Sequence, residues 1–264
     1  MTHDDVSTWD AAIANFAGLA SSIKEWGIES PCPGWTIGDL VSHTIDLEAL
    51  LAADPRPDHS PDWAALRHID SDFGRLTEIG VDYRRGRSKD ELLRELADTH
   101  TRAVARIESL PFDASIPWLR GDTPLPRLLR MRAFDVWVHE QDARVTTGMV
   151  GNLDGPGAPE AMHYLSAGLP KVWGKDVGAP AGAVLNVLIT EPGLAGEHWV
   201  KVGEDGKAAL VDQADADVTV TMPWLSFVML TGGRATDDDF AQDVAVVGNE
   251  DLGRRFLDSM AVTP

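Results

Sequence analysis

The chain changes its hydrophobic period once, across a Gly/Pro-rich link, and that change constrains the fold more than any other feature. Up to about residue 148 apolar residues recur every three or four positions, as in Val6, Trp9, Ile13, Phe16, Leu19, Ala20 and Ile23 over residues 5–26. Beyond the link Gly148-Met-Val-Gly-Asn-Leu-Asp-Gly-Pro-Gly-Ala-Pro159 the period becomes two, most cleanly in Asp217-Val-Thr-Val-Thr-Met222. A helical half followed by an alternating half predicts two domains, residues 1–148 and 159–264, with the break in the link.

In the first half, Pro31-Cys-Pro-Gly34 breaks the chain. Thr36 with Asp39 then resembles a capping box that opens a helix to about Ala53. After a Pro-rich loop, the stretch to about Gly86 reads as partly helical. Ser88 with Glu91 caps a helix to about Ser109. Thr123-Pro124 places a cap before a first-turn proline, and a further helix runs to about Thr147. Four long helices predict a four-helix bundle. In the second half, 183–189, 197–202, 208–211, 217–222 and 244–247 read as strands, with a hairpin turn at Glu204-Asp-Gly-Lys207. A short helix at 223–230 ends at Gly232-Gly233, and Asn249 caps a last helix. This mixture predicts an α+β domain.

Forty-two acidic against 23 basic residues leave a formal charge of −19, a field that repels phosphate backbones and argues against nucleic-acid partners. One cysteine, Cys32, excludes an internal disulfide framework and fits a reducing compartment. The N-terminus lacks the basic and apolar regions of a leader, and no run of 18 apolar residues suggests a membrane span. The expectation is a cytoplasmic protein, monomer or homodimer, with small-molecule partners.

Chemistry concentrates in two segments. Asp135 and His139 stand four residues apart, which on a helix puts both side chains on one face. His43 lies on the stripe Leu40, His43, Leu47, Leu50 of another helix. A carboxylate and an imidazole from one helix, met by an imidazole from a second, are a standard way to hold a divalent metal inside a bundle. Each residue also has a plainer reading: His43 as a satisfied core histidine, and Asp135 as the partner of an arginine such as Arg102 or Arg106. Asp142, one turn beyond His139, either orients that imidazole or serves Arg144 and the helix end. His100 continues the stripe Leu93, Leu96, Ala103, Ile107 and reads as core packing. Cys32 reads as part of a proline-flanked helix start rather than an acidified thiol. Trp35 either walls the site or staples the helix start. The remaining histidines offer no ligand spacing, and the acidic run Asp237-Asp-Asp239 reads as a solvated loop.

The segments Pro31-Cys-Pro-Gly-Trp35-Thr-Ile-Gly-Asp-Leu-Val-Ser-His43 and Arg132-Ala-Phe-Asp135-Val-Trp-Val-His139-Glu-Gln-Asp142 resemble the maleylpyruvate isomerase family of mycothiol-dependent enzymes, within the wider group of DinB-like metal-binding bundles. Asp217–Met222, Gly232-Gly-Arg234 and Val244–Gly248 are similar to that family's sterol-carrier-like C-terminal domain. The resemblance implies a divalent metal, usually zinc, on His43, Asp135 and His139. The isomerase has glutamate where this chain has Asp135, one methylene shorter, which would move the metal toward the helix or insert a water. It also implies mycothiol as the low-molecular-weight thiol, activated by the metal for attack on a small electrophile in a cleft between the domains. The outcome would be cis–trans isomerisation or S-transfer. An acidic electrophile would need a cation, for which Arg234 is the candidate, with Arg254 and Arg255 behind it. Arg234 also reads as a surface arginine ending a helix. Two non-enzymatic alternatives stand beside this: a metal- or thiol-binding regulatory module, and a carrier of an apolar ligand in the C-terminal domain.

Overall fold

The computed structural model describes residues 3–111, 113–234 and 243–263. The chain divides into two compact units, residues 1–151 and 152–264. The acidic run at 237–239 lies outside the described residues.

The first unit is a helical bundle. Helices α1 (His3–Ser22), α2 (Ile37–Leu51), α4 (Lys89–Glu108) and α5 (Leu125–Thr147) form it, with the shorter α3 (Asp72–Asp82) packed on α2. Helix α1 packs chiefly on α5, and α2 on α4. Their inward stripes, including Trp9, Phe16, Leu40, Ile45, Leu96, Leu128 and Val136, make one buried apolar cluster. At about 25 cal/mol per Å2 of apolar surface, that burial is what holds the helices together.

The helix ends follow local chemistry. Helix α1 stops at Ser22, four residues before the periodicity suggested, because Ser21 and Ser22 turn their hydroxyls back onto the carbonyls of Gly18 and Leu19. Lys89 Nζ then takes the carbonyls of Ser21 and Ile23 at 2.7 and 2.6 Å. Both capping boxes, Thr36/Asp39 and Ser88/Glu91, are present. The expected cap at Thr123 is not made. Thr123 and Pro124 instead pair with Ser115 and Ile116 as a two-stranded ribbon (β1, Ser115–Ile116; β2, Thr123–Pro124), and α5 starts at Leu125 with no side-chain cap. The extended backbone of β2 draws Thr123 into the ribbon, and Pro126 supplies the first-turn proline. At the far end Gly148 adopts the left-handed conformation, φ 67°, that closes the helix.

The second unit is α+β. Strands β3 (Val184–Thr190), β4 (Gly196–Val202), β5 (Ala208–Val211), β6 (Val218–Pro223) and β7 (Ala245–Gly248) form a sheet in the order β5-β4-β3-β6-β7. Only β3 and β6 run parallel. Among the described residues its helices are α6 (Ala158–Ser166), α7 (Leu169–Lys171, continuing into a π-helical turn at Val172–Asp176), α8 (Trp224–Thr231) and α9 (Glu250–Asp258). Helix α6 and the π-helical turn carried no distinct sequence signal. Gly248, at φ 100°, lies against the Asp217 carbonyl, where a Cβ would come within 2.2 Å. Among the described residues, no helix is long and apolar enough to cross a membrane.

Candidate metal centre

The loop before α2 is built by its own sequence. Pro33 and the left-handed Gly34, φ 75°, make a tight turn in which the Trp35 N–H donates to the Cys32 carbonyl at 3.1 Å. The turn is tied back by Ser30 N–H to the Trp35 carbonyl at 2.8 Å, and Thr36 caps α2. This explains Pro31-Cys-Pro-Gly34 structurally, and it presents the Trp35 ring to the histidines.

His43 on α2 and Asp135 and His139 on α5 converge. His43 Nε2 lies 3.6 Å from Asp135 Oδ2, and His139 Nε2 lies 3.7 Å from Asp135 Oδ1. The two imidazoles meet edge to face with centroids 5.0 Å apart. The two nitrogen–oxygen separations are long for hydrogen bonds and run to different Asp135 oxygens; one donor atom from each of the three residues lies within 4.8 Å of the others, near enough to meet one ion. Among the described residues, this is the only group of three or more His, Cys, Asp or Glu side chains placed to share a metal ion. The donor set, two imidazoles and one carboxylate, suits zinc or another divalent transition metal. The side chains of both histidines are 5% exposed and that of Asp135 is 26% exposed, so the imidazoles are the more enclosed part of the group.

Surrounding groups set each member. The Asp142 carboxylate accepts from His139 Nδ1 at 3.0 Å, fully buried, which puts the proton on Nδ1 and frees the Nε2 lone pair toward Asp135. This is the orienting role read for Asp142. His43 differs: its Nδ1 is buried without a hydrogen-bond partner. Burial, partly opposed by Asp135, pushes the His43 imidazole below its ordinary value of 6.5, which favours the neutral form a metal needs. Burial works against ionisation of Asp135, but attraction to the His43 ring when it is protonated and to the Arg132 guanidinium outweighs it and holds the carboxyl well below the usual carboxylate range.

The arginine beside Asp135 is neither Arg102 nor Arg106. Arg102 pairs with Asp54, and Arg106 donates to the Leu51 carbonyl. Arg132, three residues before Asp135 on the same helix, donates to its Oδ2. Helical i, i+3 spacing was the available signal for that pair.

Two buried glutamates that sequence reasoning missed support the site. Glu78 on α3 accepts the Trp35 Nε1–H at 2.8 Å and lies 2.6 Å from Arg85. It thereby holds the indole 4.9 Å from the His43 ring and 5.9 Å from the His139 ring. Trp35 is thus a wall of the site. Glu48 on α2 receives Arg132, the Trp9 Nε1–H and His100 Nδ1. His100 therefore bridges Glu48 and Asp10 rather than serving as plain core packing. A cavity of about 690 Å3 between α2, α4 and the 54–57 loop contains none of the three converging residues and is lined by paired charges such as Arg84–Asp46 and Arg102–Asp54.

In the second unit, the Arg234 guanidinium meets the Gly232 carbonyl and Thr263 Oγ1 just beyond α8. Arg255 donates to the Val177 carbonyl, and Arg254 is exposed.

Fold and site define a two-unit protein whose helical bundle brings a histidine–aspartate–histidine group together beneath a tryptophan. The family model described as the mycothiol maleylpyruvate isomerase N-terminal domain matches residues 9–144, and the chain belongs to that family. Among solved structures, the chain is similar to the crystal structure of the mycothiol-dependent maleylpyruvate isomerase, at 17% identity and a TM-score of 0.57 over 92% of this chain and 91% of that one. A histidine-to-alanine mutant of the isomerase matches at 16% identity with the same coverage and TM-score. At these identities the likeness shows a shared two-domain fold. A sterol carrier protein 2-like protein from Aedes aegypti aligns with 38% of this chain at a TM-score of 0.28. Among curated proteins, no relative matches the chain.

Proposed function

We propose that this protein is a metal-dependent enzyme that uses mycothiol, as a thiol S-transferase or as a cis–trans isomerase of the maleylpyruvate type. The observation that carries the proposal is the convergence of His43, Asp135 and His139, one donor atom from each lying within 4.8 Å of the others. Membership of the family supports mycothiol as the thiol.

A bound zinc ion supplies Lewis acidity, which lowers the pKa of a thiol and gives a thiolate near neutral pH. His43 and His139 contribute neutral nitrogens and Asp135 one negative charge, so the donor set leaves a net charge of about +1 to favour thiolate over thiol. Asp142 holds the His139 tautomer, and Trp35 covers the imidazoles against water. Mycothiol bound there would supply a sulfur nucleophile that could add reversibly to a conjugated cis double bond, allowing rotation before the thiolate is expelled unchanged, or could displace a leaving group that departs with its electron pair.

The test is calorimetric titration of zinc-loaded and chelator-stripped protein with mycothiol, beside elemental analysis of protein purified without chelator. Near-stoichiometric zinc and a thiol affinity that needs it are expected. Equal thiol affinity in both forms overturns the mechanism, and retention of metal by the His43→Ala/His139→Ala double variant overturns the ligand assignment.

A further inference from the structure

The ion pair Arg132–Glu48 sits in the middle of the bundle, with Arg132 1% and Glu48 0% exposed. Buried ion pairs contribute little to net stability, because desolvating both charges offsets their attraction, so stability alone does not account for one here. Its geometry is more informative. Arg132 Nε and Nη2 both donate to Glu48 Oε1, at 3.3 and 3.0 Å, which fixes the plane of the guanidinium. Trp9 Nε1 donates to the same oxygen at 3.0 Å, and His100 Nδ1 meets Oε2 at 2.9 Å, so Glu48 itself is held from two further helices. What remains of the Arg132 fork, Nη1, is turned onto Asp135 Oδ2. Glu48 shares α2 with His43, and Arg132 shares α5 with Asp135 and His139. The pair therefore joins the two helices that carry the converging groups and ends on the carboxylate between them.

We infer that Arg132, oriented by Glu48, is a positioning residue for Asp135: it holds that short carboxylate between the two imidazoles so that all three side chains can meet one cation. The inference rests on the metal reading above. The fork geometry is what an ammonium cannot reproduce, since lysine offers a single charged nitrogen rather than a planar set of donors. An arginine alone would also repel a cation. Glu48 cancels that charge, so a fair test removes both together.

The probe is Co2+ titrated into the full-length protein under chelator competition, with the visible spectrum recorded as a readout of the ligand set. Wild type is expected to bind one equivalent. The charge-neutral double variant Glu48→Gln/Arg132→Met should bind about 10- to 100-fold more weakly with an altered spectrum, the range seen when groups that orient metal ligands are removed. Arg132→Lys should fall between them. Binding by the double variant within twofold of wild type, with an unchanged spectrum, would make the pair purely structural and overturn the inference while leaving the metal reading intact. Wild type that binds no Co2+ overturns the metal reading, and the inference falls with it. Circular dichroism reports folding. If the double variant does not fold, the charge-conserving Arg132→Lys decides alone: a loss of at least about threefold with an altered spectrum supports the inference, and unchanged affinity and spectrum overturn it.

Discussion

At the scale of single residues, the two imidazoles of the candidate centre are not equivalent. His139 is anchored by a buried carboxylate, whereas His43 relies on packing against Trp35 and leaves Nδ1 without a partner. Asp142→Ala should therefore weaken metal binding about 10- to 100-fold, because it removes the acceptor that fixes the His139 tautomer. The matching readout is zinc affinity by chelator competition, and an unchanged value would deny Asp142 its orienting role. His43→Ala should abolish thiol-dependent turnover. Cys32→Ala should leave it within about twofold, since Cys32 forms the Pro-Gly turn through its backbone and the proposed nucleophile comes from mycothiol. Loss of turnover in Cys32→Ala would point to a protein thiol instead.

At the scale of elements, the joints between helices are polar and specific. Gly80 brings α3 against α2 so closely that a Cβ would lie 2.0 Å from Asp46 Cγ. Gly80→Ala should destabilise the protein by about 1–3 kcal/mol despite alanine's better helix propensity, because the Asp46 side chain must give way. Urea denaturation measures it. His100 joins α4 to α1 and α2. Burial lowers its proton affinity, but the contacts with Glu48 and Asp10 more than offset this and raise its pKa above the ordinary 6.5. A histidine with a raised folded pKa binds its proton more tightly when folded. Its stabilisation is complete below the ordinary value and is lost as pH rises through the raised one. Unfolding free energy followed from roughly pH 5.5 to 9 should fall across that window in wild type and less so in His100→Gln. Parallel profiles would show that His100 is not linked to folding.

At the scale of the whole molecule, a ligand held only by the folded bundle must stabilise it. Zinc at about 100 times its dissociation constant should add about 2.7 kcal/mol, and a chelator should remove it. Hydrogen exchange should place the added protection in residues 1–151, around α2 and α5, because the converging side chains all lie there. Protection confined to residues 152–264 would place the metal elsewhere.

Much of this architecture is legible in the chain because it depends on neighbours in sequence. Capping boxes at Thr36 and Ser88, the left-handed Gly148, the alternation of 217–222 and the four-residue step from Asp135 to His139 are local patterns with local physical causes. They carry the helical bundle, the α+β half and the face shared by two of the three site residues. Other features needed the tertiary structure. Thr123 looked like a cap until ribbon pairing claimed its backbone. Glu48 and Glu78 carry no local pattern that singles them out, yet they bury their carboxylates to grip two tryptophans and two arginines, across separations of 39 to 84 residues for the contacts of Trp9, Trp35 and Arg132. A local pattern records which face a side chain takes. Whether a charge on that face meets solvent, a metal or a distant partner is decided by which helices pack together, because only packing removes the water that would otherwise satisfy it.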